Sequence, residues 1–205
     1  METQQSSAFV FVGNNMALDF VNTEVVKRGR IVNLLQTFED LVSWLRQAGA
    51  IDETAEAEAL RQWSGTPEGT RTLQYALHLR GVLRAMAQQI TENLQVPADA
   101  LEAINTTLRR RRGYTQVVPG DEGYRRLFHL EVEEPEDLLV PVAEAAGDLI
   151  CHGDLSLIRK CENPKCVLYF ADTSKNRARR WCSMSVCGNR AKAAAHYRRR
   201  RETAS

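Results

Sequence analysis

Four of the five cysteines fall into two C-x4-C pairs, Cys161 with Cys166 and Cys182 with Cys187, and fifteen residues separate the pairs. Two close thiol pairs held apart by a connector of hairpin length form the ligand pattern of a structural zinc site, in which four thiolates surround one tetrahedral ion. A disulfide within either pair is conceivable, but five cysteines in a reducing compartment favour metal or free thiols over a disulfide framework. The segment from Ile158 onward is too short and too charged to pack a core of its own. Its apolar candidates are Val167, Leu168, Tyr169, Phe170, Trp181 and Val186. Zinc binding contributes about 10–16 kcal/mol in comparable small peptides, enough to fold such a segment. The spacing therefore assigns Cys161, Cys166, Cys182 and Cys187 to one structural Zn2+. Cys151, His152 and His196 are alternative ligands by type; Cys151 reads as a free buried thiol and His152 as a helix-end residue.

Charge is concentrated around this cluster. From Ile158 to Ser205 there are thirteen Lys and Arg against three acids, while the rest of the chain holds 14 basic and 23 acidic residues. A net charge of +1 thus conceals a basic module on an acidic body, an asymmetry suited to a polyanion partner. On a helix from Gly188 to Arg201, Ala191, Ala194 and Ala195 share a narrow face suited to close packing. Lys192, His196 and Arg199 line the opposite face, flanked by Arg190, Arg198, Arg200 and Arg201. Lys175, Arg177, Arg179 and Arg180 on the connector extend the cationic surface. This pattern suits a helix that enters a groove or tracks phosphates. Asn189 and Arg190 have two readings, as readers of base edges or as structural residues beside the metal. Nothing distinguishes DNA from RNA by residue type alone.

The elements that carry this module read as mainly helical. Thr37 and Asp40 form a capping box before Phe38, Leu41, Val42 and Leu45, and Gly49 closes that helix. A second helix spans Asp52 to about Trp63. The third and longest starts at Thr66-Pro67-Glu68 and ends before Pro97, and the fourth covers Ala98 to about Arg111. The segments GYTQVVPG and YRRLFHLEV read as a β-hairpin, and Pro135 to His152 as a further amphipathic helix with Pro141 at its start or at a kink. AFVFV at 8–12 reads as a strand or buried extended segment, and Lys27-Arg28-Gly29-Arg30 as a turn. The expected division is a helical body over 1–157 and a zinc finger over 158–205. Within the finger the expected path is a ligand turn, a hairpin through Val167–Phe170 and Arg179–Trp181, and a helix opening near Cys187, in a treble-clef-like arrangement.

At the last cysteines the residues resemble a known family. Cys161-Glu-Asn-Pro-Lys-Cys166, Phe170-Ala-Asp172-Thr-Ser174, Arg179-Arg180-Trp181-Cys182-Ser-Met184 and Cys187-Gly188-Asn189-Arg190 resemble the CGNR zinc finger. Members of that family join the finger to an N-terminal ABATE domain, and Ala17-Leu18-Asp19-Phe20-Val21-Asn22-Thr23 is similar to that domain's opening, with Trp44-Leu45 and Gly49 following. The resemblance implies four cysteine ligands to zinc, a mainly helical N-terminal fold and a role in bacterial, stress-linked transcription.

Within the body, Asp19, Asn22 and Thr23 place small polar groups in an apolar segment. With Arg80 on the long helix they form a candidate effector site; the competing reading pairs Asp19 with Arg80 internally and uses Asn22 and Thr23 as caps. No nucleophile triad, phosphate loop or HExxH motif occurs, so the reading is of a non-enzyme. The apolar runs are too short to cross a bilayer, and METQQSSAFVFVGNN lacks the features of a secretion signal, which together predict a cytoplasmic protein. The resulting expectation is a zinc-dependent regulator that binds nucleic acid, duplex DNA first. Its body senses a small effector or forms a homodimer. The alternative is a protein-interaction adaptor with a purely structural zinc.

Overall fold

The computed structural model describes residues 9–120 and 123–202, and in the last helix it leaves out the side chains of 195–199 and 201–202. Local capping sets most helix starts. In α2 (Phe38–Gln47) the Thr37 hydroxyl accepts from Asp40 N at 3.2 Å and the Asp40 carboxylate accepts from Thr37 N at 3.0 Å, so two otherwise orphaned amides are satisfied. Gly49 then leaves the helix at φ +72°, a conformation that costs a side chain dearly and glycine little. Asp52 caps α3 (Glu53–Trp63), and Thr66 with Pro67 opens α4 (Pro67–Asn93). α4 has 27 residues and so runs about 40 Å. Its buried stripe of Ala76, Leu79, Leu83, Met86, Ala87 and Ile90 is the axis of the main core.

Around α4 pack α1 (Met16–Val21), α2, α5 (Ala98–Leu108) and a 3-10 turn at Pro135–Leu139, while α6 (Val140–His152) packs on α1 and α5. The helix expected from Pro135 is thus divided. Pro141 lies in the first turn of α6, where its missing N–H has no intrahelical partner to lose. α5 stops three residues short of Arg111, because Arg110 turns back to pair with Glu134 and the buried Asp137.

Among the described residues three antiparallel strand pairs complete the fold. β3 (Gly113–Gly120) and β4 (Gly123–Leu130) form the expected ribbon, Tyr114 opposite His129 and Pro119 opposite Tyr124. The expected turn at 27–30 joins two strands that local pattern did not reveal, β1 (Glu24–Lys27) and β2 (Arg30–Asn33). Arg28 and Gly29 both have positive φ there, as a two-residue hairpin turn of matching twist requires. The third pair corrects the expected finger hairpin. β6 (Tyr169–Ala171) pairs with β5 (Ile158–Lys160), upstream of the first cysteine, and not with Arg179–Trp181. Arg179 N is taken by the Asp172 carboxylate at 2.8 Å instead, which turns the connector back on itself.

The outer edge of β6 is covered by the start of the chain. Ala171 N donates to Gly13 O, Asn14 Nδ2 donates to Ala171 O, and the Asn22 side chain meets both backbone groups of Tyr169. The segment 9–12 forms no strand. Phe9, Val10 and Val12 pack on a second apolar cluster, and Phe11 stacks on Trp44 with centroids 6.1 Å apart. That cluster joins Val25 and Leu34 of the β1–β2 region to Leu168, Phe170 and three of the cysteines. The chain therefore crosses residue 157 in continuous contact: finger and body share a core.

Candidate metal centre and basic helix

The four cysteine sulfurs all lie within 4.8 Å of one another, with Cys166 and Cys182 at 3.7 Å and Cys182 and Cys187 at 3.6 Å. A tetrahedron with Zn–S bonds near 2.3 Å has edges of about 3.8 Å, so the set has the size of a ZnS4 site. Cys161, Cys182 and Cys187 are buried and Cys166 half-buried. None is in a disulfide. The thiols of Cys166 and Cys182 donate to Cys161 and hold its pKa far below the ordinary thiol range. Donation to that sulfur and the adjacent negative charge push Cys166 and Cys182 upward. Four mutually close sulfurs cannot all ionise unaided, and a divalent cation relieves that repulsion. Among the described residues this is the one group of three or more ligand-type side chains that could hold a metal. Cys151 is exposed and outside it, not buried as its sequence setting suggested.

Local structure aims each sulfur. The Asn163 carbonyl accepts from Cys166 N at 2.8 Å and its side-chain oxygen from Lys165 N at 3.0 Å, closing the first knuckle. Asn163 Nδ2 also donates to Cys187 Sγ at 3.3 Å, a bond from the first knuckle to the second. Such outer partners fix ligand orientation and tune the metal. Cys187 N and Gly188 N both donate to Ser183 O, so one wide π-helical turn at Met184–Gly188 runs into α7 (Asn189–Glu202). Zinc bound there cross-links the two knuckles, and this chain's residues supply its cage.

Residues 158–200 match the model of the CGNR zinc finger, and residues 14–153 match that of ABATE, described as "Putative stress-induced transcription regulator". The chain belongs to the ABATE family. Its C-terminal module is a CGNR zinc finger with one structural zinc ion, and both families are of regulatory or zinc-finger type. No curated protein matches the chain. Among the described residues no helix is long and apolar enough to cross a membrane.

The structure distributes the cationic residues of this ABATE protein unequally. Arg190 and Lys192 on α7 are exposed, as is Lys175 on the connector, and none of the three is in an ion pair with another described residue. Arg177 pairs with Asp154, and Arg180 with Glu162 while lying over Trp181, yet both remain largely exposed. Arg179 does not extend the outer surface. It lies 4.1 Å over the Phe170 ring and donates to the carbonyls of Trp181, Val12 and Cys182. Asn189 donates to Ser185 O at 3.1 Å, the turn-holding role of its two readings. The alanine face does not bury along its length: Ala191 is half-buried and Ala194 exposed. His196, Arg198, Arg199 and Arg201 lie outside the residues whose side chains are described, as does Ala195; Arg200 is exposed.

Asp19, Asn22, Thr23 and Arg80 do not converge on one cavity. Asp19 accepts from Val12 N at 2.8 Å and Gly13 N at 2.7 Å. Burial raises its pKa, and those two bonds with the charge of Arg179 only partly oppose the rise. Asn22 is committed to Tyr169. Arg80 bonds Thr23, Asn33 and Glu24, and Arg84 joins Glu24 to the carbonyls of Val21 and Val167. Neither reading of Asp19 anticipated this, because the partners of Arg80 lie on a hairpin that local pattern did not reveal. Asp172 was also not singled out. Its carboxylate accepts from Ser174 N, Ser174 Oγ and Arg179 N, closing a loop within the connector. Desolvation opposes its ionisation, but these bonds and Arg179 outweigh it and lower its pKa. The signal lay in the D-T-S turn pattern.

Proposed function

We propose that this protein is a zinc-dependent transcription regulator whose finger binds nucleic acid, duplex DNA first, through α7 and the adjoining connector. The observation that carries the reading is that a cationic helix springs directly from the metal cage and presents Arg190 and Lys192 to solvent. Zinc fixes the first turn of that helix, so its direction is set by the cage. Lys175, Arg177 and Arg180 flank it, and the terminal run Arg198–Arg201 adds charge able to track phosphates. Arg179 and Asn189 act as supports of this surface. In this reading the ABATE body senses a ligand or joins two copies, and acts in the cytoplasm.

Binding of generic duplex DNA, followed by fluorescence anisotropy across salt, tests it. Each phosphate neutralised contributes about −0.9 to the slope of log K against log salt. Replacing Arg198–Arg201 with Ala should flatten the slope by up to about 3.6 and weaken all duplexes alike. Absence of binding at low salt refutes the reading and leaves the protein-adaptor alternative. A loss confined to one sequence refutes the phosphate-tracking role of the run.

A further inference from the structure

We propose that the cleft between the β1–β2 hairpin and the finger is a binding site for a small carboxylate bearing a hydrocarbon tail. It is a different place from the Asp19–Arg80 region, whose polar groups are satisfied internally. The cleft has a volume of about 210 Å³. Pockets for drug-sized ligands run to roughly 300–1,000 Å³, so its occupant is smaller than those.

Its walls are apolar, formed by Val10, Val12, Val25 and Leu168, with Val186 on the far side. The part of a ligand that lies against these walls must be apolar, since a polar group there would lose hydration without gaining partners. Three cations line the same cleft: Lys27 from the hairpin, Lys165 from the first knuckle and Arg190 from α7. Among the described residues none of the three forms an ion pair. A zinc ion with four thiolates carries a formal charge of −2, and three of the four cysteines, Cys166, Cys182 and Cys187, also line the cleft. Three cations outweigh that charge and leave the cleft positive, which selects a single anionic head over a cation or a neutral group. The tail lies against the valines and the head meets the cations. The occupant touches the ABATE hairpin on one side and Arg190, in the first turn of the basic helix, on the other.

The regulatory meaning of such a ligand rests on the nucleic-acid reading; the binding itself does not, and its test contains no DNA. Octanoate is titrated calorimetrically into the full, zinc-loaded chain, with acetate and octan-1-ol as comparators. Octanoate should bind saturably at one site. Acetate should bind at least about 10-fold more weakly for want of the tail, and octanol at least about 5-fold for want of the charge. Lys27→Ala, on an exposed strand end and not itself a ligand to zinc, should weaken octanoate by about 2- to 5-fold at unchanged zinc content. Val186→Trp, at a position 46% exposed, should fill the cleft and weaken it at least 10-fold at unchanged zinc content. Non-saturating octanoate, equal binding of octanol, or wild-type affinity in both variants overturns the proposal.

Discussion

Replacing Asn22 with Ala probes the contact on which the docking of finger to body turns. The side chain is fully buried; its Nδ2 donates to Tyr169 O at 2.8 Å and its Oδ1 accepts from Tyr169 N at 2.9 Å. It therefore pairs with the free edge of β6 as a neighbouring strand would. Tyr169 is itself buried, so water does not replace the lost partner. Each backbone group left unpaired in such a setting costs about 1–3 kcal/mol. Two groups give roughly 2–6 kcal/mol, and about 3 kcal/mol is expected once some local relaxation is allowed. Against a total stability of roughly 5–15 kcal/mol this is a large fraction. Equilibrium urea unfolding of the zinc-saturated protein, followed by circular dichroism, measures it, with zinc content checked independently. The midpoint should fall at constant slope. A loss below about 1 kcal/mol would mean that the β6 edge is satisfied by another route, and would sink the claim that Asn22 couples the two parts.

Chelating the zinc should remove hydrogen-exchange protection not only from 158–188 but also from Val25–Leu34 and the amides around Val12, which share the finger's apolar cluster. Loss confined to the finger would show that the body holds its hairpin without the metal. Asn163→Ala removes the donor to Cys187 Sγ and should weaken zinc binding about 10- to 100-fold in a competition assay with a chromogenic chelator; unchanged affinity would relegate that bond to packing. Asp19→Asn keeps an acceptor for Val12 N and Gly13 N while removing a charge that burial disfavours. The raised folded pKa means that ionisation costs stability as pH rises from the unfolded value near 4. The variant should therefore gain on the wild type with rising pH and be at least as stable at pH 7. A deficit above about 1 kcal/mol there would show that the attraction of Arg179 outweighs burial.

What the sequence made legible was local. The caps of α2, α3 and α4, the Gly49 exit and the β3–β4 ribbon are each decided within a few residues, and the four sulfurs announce themselves by type and spacing. What it hid was decided at a distance. The β5–β6 pairing competes with the expected hairpin through Asp172, whose grip on Arg179 N depends on a folded connector. Arg179 reads as one more surface cation until Phe170, Val12 and Cys182 are brought beneath it. Arg80 and Arg84 look like isolated charges on a helix, and only the β1–β2 hairpin gives them Glu24 and Asn33 as partners. A set of small polar groups in an apolar segment, such as Asp19, Asn22 and Thr23, resembles a ligand site in one dimension, because internal structural bonds and ligand contacts use the same side chains.

The bond from the Arg179 guanidinium to Val12 O closes a loop of 167 residues, and Gly13 O is reached by Ala171 from nearly as far. Val12 and Gly13 are therefore synthesised long before Arg179 and Ala171, the partners that hold them. Closing so long a loop is slow relative to forming local helices. α2 through α5 can assemble early around their own stripes, while the valines of the opening segment stay uncovered until the metal cage arrives. Metal supply then sets the moment at which this shared cluster closes, and a nascent chain short of zinc is exposed around Val10 and Val12, far along the sequence from the cysteines that would have protected them.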